Sequence, residues 1–395
     1  MNRTDDGFAG ESTRSVHGGV ERDKFAQSLI EPIAQTATYT FADLDEFASF
    51  KAGEKSLYEY GRYGNPTQRA AERRVAALEN AEAALLFSSG MSAVTSVLYA
   101  MLRSGQHLVL MEDCYRMTAK FCEVLAKFGI ESTLVKPGDM DALAAAVRPE
   151  TRLIFTESPT NPHLHVLDLE QLVAFAKQRR LKVIIDSTLA TPVNQRPLDF
   201  GVDLVIHSAT KYLGGHNDLM AGAVCGKAPL VEAIGEYQRI TGGIVDPNTS
   251  YLLIRGLKTL ALRVLRQNDT ALTVARFLEA HPKIRQVFYP GLESHVDHRV
   301  AKEQMRGFGG LISFEIDGTP EQTRNFVHRL AVPYIAPSLG GVETLVSHPA
   351  TVSYYDLSEK ERLAIGITDQ LVRYAVGIED ADELIGDIER ALEEV

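Results

Sequence analysis

Two textures of hydrophobic and polar positions divide the chain. From about residue 66 to 255, helical stretches alternate with short runs that are apolar throughout, at 84–87, 107–111, 153–156, 183–185 and 204–206. A half-buried strand alternates apolar and polar residues, whereas a strand covered on both faces does not. Such runs separated by helices predict a mostly parallel sheet flanked by helices. Met91, Val94, Val97, Leu98, Met101 and Leu102 share one helical face, and Gly105 is the expected stop of that helix. Beyond about residue 257 the texture changes. A long helical pattern covers 258–280 and is stopped by His281-Pro282. Strand-like segments follow at 286–289, 311–316 and 371–376, with helical patterns near 320–330 and 381–394. Leu384, Ile385, Ile388 and Leu392 give the last helix one apolar face. Residues 1–60 show no strong period. The expected organisation is an α/β chain with an N-terminal arm over 1–62, a large sheet domain over 63–257 and a smaller C-terminal α+β domain over 258–395.

Composition narrows the function. With 395 residues, 45% apolar and 24% charged, the chain matches ordinary globular proteins of one large or two medium domains. Its net charge of −11, with no basic stripe, argues against a nucleic-acid partner. Cys114, Cys122 and Cys225 are scattered without a C-x-x-C pair, which fits a reducing compartment, the cytoplasm. Residues 1–15 are polar with both charge signs, unlike a signal peptide. The uncharged stretch 83–102 carries five Ser or Thr residues and Gly90, so a strand, a tight turn and a buried helix explain it better than a membrane span.

The candidate chemistry centres on Ser208-Ala-Thr210-Lys211, directly behind an apolar run. A lysine just past a buried strand is costly to hold as a cation, so its amine becomes a nucleophile for carbonyls. Hydroxyls one residue apart beside it suit a phosphate. Together they point to pyridoxal 5'-phosphate (PLP). Taken alone, the segment is more often a surface lysine after a strand. Asp186 ends the run at 183–185, and a carboxylate there needs a partner such as a protonated ring nitrogen, or else caps a turn. Asp186 and Lys211 lie one crossover apart, which brings both to the carboxyl ends of neighbouring strands, where open α/β sheets hold ligands. Ser88-Ser89-Gly90-Met91 joins a strand to a helix N-terminus, a phosphate site or a capped glycine turn.

Tyr60-Gly-Arg62 lies in the arm, where an Arg shaped for phosphate serves a neighbouring subunit or is simply solvated. Asn161, within Glu157-Ser-Pro-Thr-Asn-Pro, follows a strand and aims an amide at a ligand or forms a rigid turn. Tyr115 stacks on a ring or packs; Arg373 in an apolar strand binds a carboxylate or an internal partner. His207, His216, His295 and His298 come without a Cys or carboxylate cluster, and no metal is expected.

These motifs, Y-x-R-x-x-N-P-T, S-S-G-M, E-S-P-T-N-P, D-x-T-x-A-T-P, H-S-x-T-K and S-L-G-G, occur in one order over essentially the whole chain. The sequence resembles the Cys/Met-metabolism, or transsulfuration, branch of fold-type I PLP enzymes. Asp113-Cys-Tyr-Arg116, Ile335-Ala-Pro-Ser338 and residues 307–314 make it most similar to plant-type cystathionine γ-synthases. The resemblance implies that Lys211 carries the cofactor and shuttles protons, with Tyr115 as ring-stacking partner and acid–base group near the γ position. It implies Asp186 on the ring nitrogen and Asn161 on the ring hydroxyl. Ser89, Gly90, Met91, Ser208 and Thr210 would hold the phosphate, with Tyr60 and Arg62 supplied by the adjacent subunit. Arg373 and Ser338 would bind the substrate α-carboxylate. A shared site implies a catalytic dimer, and the family pattern is a homotetramer.

Three departures fall where distal substrate groups are read: Pro337 in place of a common Glu, Met117 in place of a Lys, and Tyr63 in place of a second Arg. Lys120 remains as a distal cation. The leading expectation is γ-replacement joining an activated homoserine to a thiol. The second is a γ-lyase that releases an oxoacid and ammonia from methionine, cystathionine or a similar amino acid. A non-catalytic PLP-binding regulator and an aminotransferase fit less well. The first would need a DNA-binding segment, and the second does not account for the transsulfuration motifs.

Overall fold

The computed structural model describes residues 8–393 and Val395. Residues 1–7 of the expected arm and Glu394 of the expected last helix lie outside the described residues. Seven strands form the larger sheet: β1 (Ala83–Phe87), β2 (His107–Met111), β3 (Glu131–Val135), β4 (Thr151–Glu157), β5 (Lys182–Asp186), β6 (Leu204–Ser208) and β7 (Gly222–Gly226), in the order β1-β7-β6-β5-β4-β2-β3. β2 to β6 run parallel, and β2 is buried along its whole length because helices cover both faces of the sheet.

β7 is antiparallel to β1 and β6 and was not anticipated. Its sequence, Gly-Ala-Val-Cys-Gly, carries little strand signal, yet the small residues are required. A Cβ on Gly222 would meet the Ser89 carbonyl oxygen at 2.2 Å, and one on Gly226 the Leu204 side chain at 2.7 Å. β3 also escaped notice, because as an edge strand it buries only Val135.

The second sheet comprises β8 (Ile284–Phe288), β9 (Leu311–Ile316), β10 (Tyr334–Ile335), β11 (Leu345–Ser347) and β12 (Leu371–Ala375), ordered β10-β11-β12-β9-β8. Only the short β10–β11 pair is parallel. The sheets meet through the long helix Leu260–Ala280, which follows Pro247–Leu257 after a two-residue break. The chain is thus α/β with a smaller α+β region, as the hydrophobic pattern predicts.

Three local expectations change. The N-terminal segment is not wholly extended: Glu11–His17 and Leu44–Lys51 are helices, the second started by Asp43, whose carboxylate accepts the Glu46 N–H. The helix behind Ser89 ends at Met101 rather than at Gly105, which occupies a left-handed turn (φ +82°) further on. The third change is β7 itself, which makes the large sheet mixed at one side. Helix Pro66–Glu79 has both expected ends: Asn65 caps its first amides, and Asn80 closes it in the left-handed region. Its last residue, the fully buried Glu79, contacts His207 of β6 at 2.5 Å and anchors the helix under that strand.

Candidate active site

The neighbouring parallel strands β5 and β6 bring Asp186, at the end of β5, and Lys211, just beyond β6, to the same edge of the sheet. Lys211 follows β6, and its backbone N–H donates to the Ser208 carbonyl at 3.1 Å. Its Nζ donates to Ser338 Oγ at 2.6 Å. Burial, helped by the charge of Arg373, pulls this amine down from the ordinary lysine range to about 8. Ser338 has a left-handed backbone (φ +110°), a strain that a non-glycine residue bears only where its surroundings enforce it. Its carbonyl accepts from Arg373 Nη2 at 2.9 Å. Arg373 sits in the middle of β12, is 7% exposed, and its buried Nε finds no protein acceptor. A buried guanidinium with a free donor beside a reactive amine can anchor a carboxylate.

Asp186 is oriented by a neighbour that sequence reasoning did not single out. Its Oδ1 accepts both the Thr188 N–H (3.0 Å) and the Thr188 hydroxyl (2.5 Å). Among the described residues nothing donates to Oδ2, and burial pushes the carboxyl pKa up. Thr188 Oγ1 in turn accepts the Ser208 N–H at 2.8 Å, so one threonine aligns both strand ends. Across from Ser208 begins helix Gly90–Met101. Ser89 caps it by accepting the Ser92 N–H at 3.0 Å, while the Gly90 and Met91 amides have no acceptor among the described residues. A Cβ on Gly90 would lie 3.0 Å from Ser208 Cβ, so only glycine lets the helix start approach β6 this closely. Thr210 is the exception: its hydroxyl is engaged with Ala221 in both directions, donating to the carbonyl (3.2 Å) and accepting from the amide (3.0 Å).

PLP fits these residues. It needs an amine of lowered pKa, a carboxylate with one free oxygen, and free amides at a helix N-terminus for its phosphate.

Tyr115 caps the helix Arg116–Ala126 after β2 and is half exposed; its N–H donates to Glu157 at 2.9 Å. Glu157, buried at the end of β4 opposite Asp186, has its pKa pushed well up by burial and by the charge of Asp186. Asn161 lies just beyond, between two cis bonds, Ser158-Pro159 and Asn161-Pro162. Met117 is on the first turn of the Tyr115 helix. Lys120, one turn on, is held by Asp356 at 3.3 Å. Tyr60 and Arg62 do not reach Lys211, Ser89 or Ser208 through any described contact of their own chain. Arg62 instead donates to the Arg239 carbonyl at 2.9 Å and lies over the Tyr60 and Tyr63 rings.

The family model described as Cys/Met metabolism PLP-dependent enzyme matches residues 12–393. This chain belongs to that family. It is 48% identical over 385 residues to cystathionine gamma-synthase 1, chloroplastic, from Nicotiana tabacum, across 96% of this chain and 71% of that protein. It is 40% identical to the L-methionine gamma-lyase of Fusobacterium nucleatum subsp. polymorphum over 98% of both chains. A crystal structure of metB from Corynebacterium glutamicum matches with a TM-score of 0.90 and 38% identity, over 97% of this chain and 98% of that one. As a member of the Cys/Met-metabolism family the protein is a PLP-dependent enzyme of fold type I that works on small amino-acid substrates. No helix among the described residues is long and apolar enough to cross a membrane.

Sequence reading missed the parts of this family site that act through other residues. Thr188 stood within D-x-T-x-A-T-P and Glu157 within E-S-P-T-N-P, so the motifs carried a signal that spacing alone did not decode. Arg116 stood within Asp113-Cys-Tyr-Arg without a role of its own, and Tyr354 and Asp356 had no such signal. Arg116 and Asp356 are 240 positions apart, and only the fold joins them.

Proposed function

We propose that this enzyme catalyses γ-replacement, joining an activated homoserine to a thiol in the manner of a cystathionine γ-synthase. The observation that carries it is the row Lys211 Nζ, Ser338, Arg373, in which an amine near neutrality stands beside a buried carboxylate anchor. When bound, PLP supplies an electron sink for the substrate's α and β carbons. Arg373 and Ser338 hold the substrate carboxylate and so aim its α proton at Lys211 Nζ, which takes it and returns it further along the substrate. Asp186, kept in place by Thr188, would hold the ring nitrogen through Oδ2. Ser89, Gly90, Met91 and Ser208 would hold the phosphate, with Thr210 beside them keeping its hydroxyl on Ala221, and Asn161 would meet the ring hydroxyl. Tyr115 covers the ring and handles the proton at the leaving γ substituent, with Met117 and Lys120 beyond it toward the distal end.

Tyr60 and Arg62 come from the neighbouring subunit, so the working unit is a dimer and two dimers form the tetramer. Their lack of contact with the site in their own chain supports this. We place the arm at 1–62, the cofactor-binding domain at 63–257 and the small domain at 258–395. The three buried free cysteines support a reducing, cytoplasmic setting.

The second reading, a γ-lyase, is favoured by Met117 and Pro337 and by the engagement of Lys120 with Asp356, which together leave the distal end poor in free charge. Purified holoenzyme incubated with O-acetyl- or O-phospho-L-homoserine, with and without cysteine, separates the two. A thioether product is expected. Release of 2-oxobutyrate from methionine, with no thioether from either ester, would replace the synthase by the lyase.

A further inference from the structure

Two cations on the first turns of the helix that Tyr115 precedes, Arg116 and Lys120, are both held by one carboxylate from the other end of the chain. Asp356 Oδ2 accepts from Arg116 Nη2 at 2.5 Å and from Lys120 Nζ at 3.3 Å. Arg116 also donates to the Ser353 carbonyl and lies 5.4 Å over the Tyr354 ring. The segment 353–356 follows helix Pro349–Val352, behind β11, and β11 pairs with the strand that bears Arg373. The charges of Asp113, Glu157, Arg116 and Arg373 all act on the Tyr354 hydroxyl. Burial holds that hydroxyl neutral, pushed up to about 12.

We infer that Asp356 sets the charge preference at the outer end of the substrate site. By occupying Arg116 and Lys120 it withholds two cations from an anionic γ substituent and suits the site to an uncharged one. The inference rests on the reading of the substrate as a γ-substituted amino acid. Lys120 is about half exposed and has no other carboxylate partner among the described residues, so releasing it leaves a mobile ammonium beside Met117. Arg116 keeps Ser353 and Tyr354, so the segment stays docked when the carboxylate is neutralised.

The test compares holoenzyme with Asp356→Asn and, as a second neutral replacement, Asp356→Ser. The kcat/KM ratio for O-phospho- over O-acetyl-L-homoserine with cysteine is expected to rise about tenfold, since the outer end gains one net positive charge close to the ester. The gain should fade at high salt, where such exposed charges are screened, and Lys120→Met on the Asp356→Asn background should return the ratio to its starting value. Calorimetric titration with inorganic phosphate should show several-fold tighter binding to Asp356→Asn. An equal fall for both esters, or a ratio within twofold of wild type, overturns the inference and leaves Asp356 a structural residue. If neither ester is a substrate, the proposed reaction fails, while the phosphate titration still judges Asp356: unchanged affinity refutes its role.

Discussion

The cofactor cradle and the substrate wall of this site are built in opposite ways. The cradle uses short-range sequence. Asp186, Thr188, Ser208 and Lys211 fall within one strand crossover, and Ser89 to Met91 form one turn between a strand and its helix. The wall is assembled from distant pieces. Ser338 and Arg373 meet Lys211, while Tyr354 and Asp356 meet Arg116 and Lys120, pairs that lie more than a hundred residues apart in the chain. A parallel sheet delivers its strand ends to one edge whatever the loops contain, so a cradle there is a local affair. The wall exists only when segments far apart in the chain come together, and in the proposed reaction it is where the substrate would be chosen. Changes in the cradle should therefore lose the cofactor, and changes in the wall should keep it and lose the substrate.

The harshest test is Lys211→Ala. Turnover should fall by about 10³-fold or more, the loss of the group that moves the proton, together with the visible absorbance of the covalently held cofactor. Full turnover in that variant would end the comparison at once. Arg373→Leu tests the wall. The holoenzyme spectrum should persist while kcat/KM drops about 10²-fold, mostly through KM, because a buried charge-assisted contact to the substrate is lost. If the cofactor leaves too, wall and cradle are one unit.

Gly222→Ala lies two steps from the ligand and should act on the cradle alone. Its Cβ would stand 2.2 Å from the Ser89 carbonyl, so the helix start must shift. The expected costs are about 1–3 kcal/mol of stability, read by denaturant titration, and about tenfold weaker PLP binding to the apoprotein.

A further test is pH dependence. Lys211 has a folded pKa of about 8 against 10.5 for an ordinary lysine, so between these values the unfolded chain binds more protons. Stability of the apoprotein should therefore rise with pH across that window, and the penalty of the buried cation is in full force below pH 8. Melting curves of apo wild type and Lys211→Met should converge as pH increases from 8 to 10.5. A constant gap between them would show that the amine titrates normally.

The same contrast explains what could be read without the fold. Lys211, Asp186 and the helix start at Gly90 were legible because each combines a recognisable residue type with a recognisable position, the end of an apolar run. Arg373 was legible as a charge inside an apolar strand, although its purpose was open. β7 was not, since its residues are small for the sake of Ser89 and Leu204, which no periodicity records. Lys120 was identified as a cation but not as a partner of Asp356. Thr210 was grouped with the phosphate ligands by its spacing, while in the fold its hydroxyl serves Ala221.

The sequence by itself determined the alternation of buried strands and helices, and with it the edge at which a lysine, a carboxylate and free helix amides must gather. Backbone periodicity and burial cost act over a few residues, so they leave a local trace. Tertiary structure alone decided which oxygen of Asp186 stays free, how Ser338 and Arg373 meet Lys211, and that one aspartate from the far end of the chain holds both cations beside Tyr115. The first depends on the turn after β5 and the others on contacts between segments far apart in the chain, and neither leaves a periodic mark in the sequence.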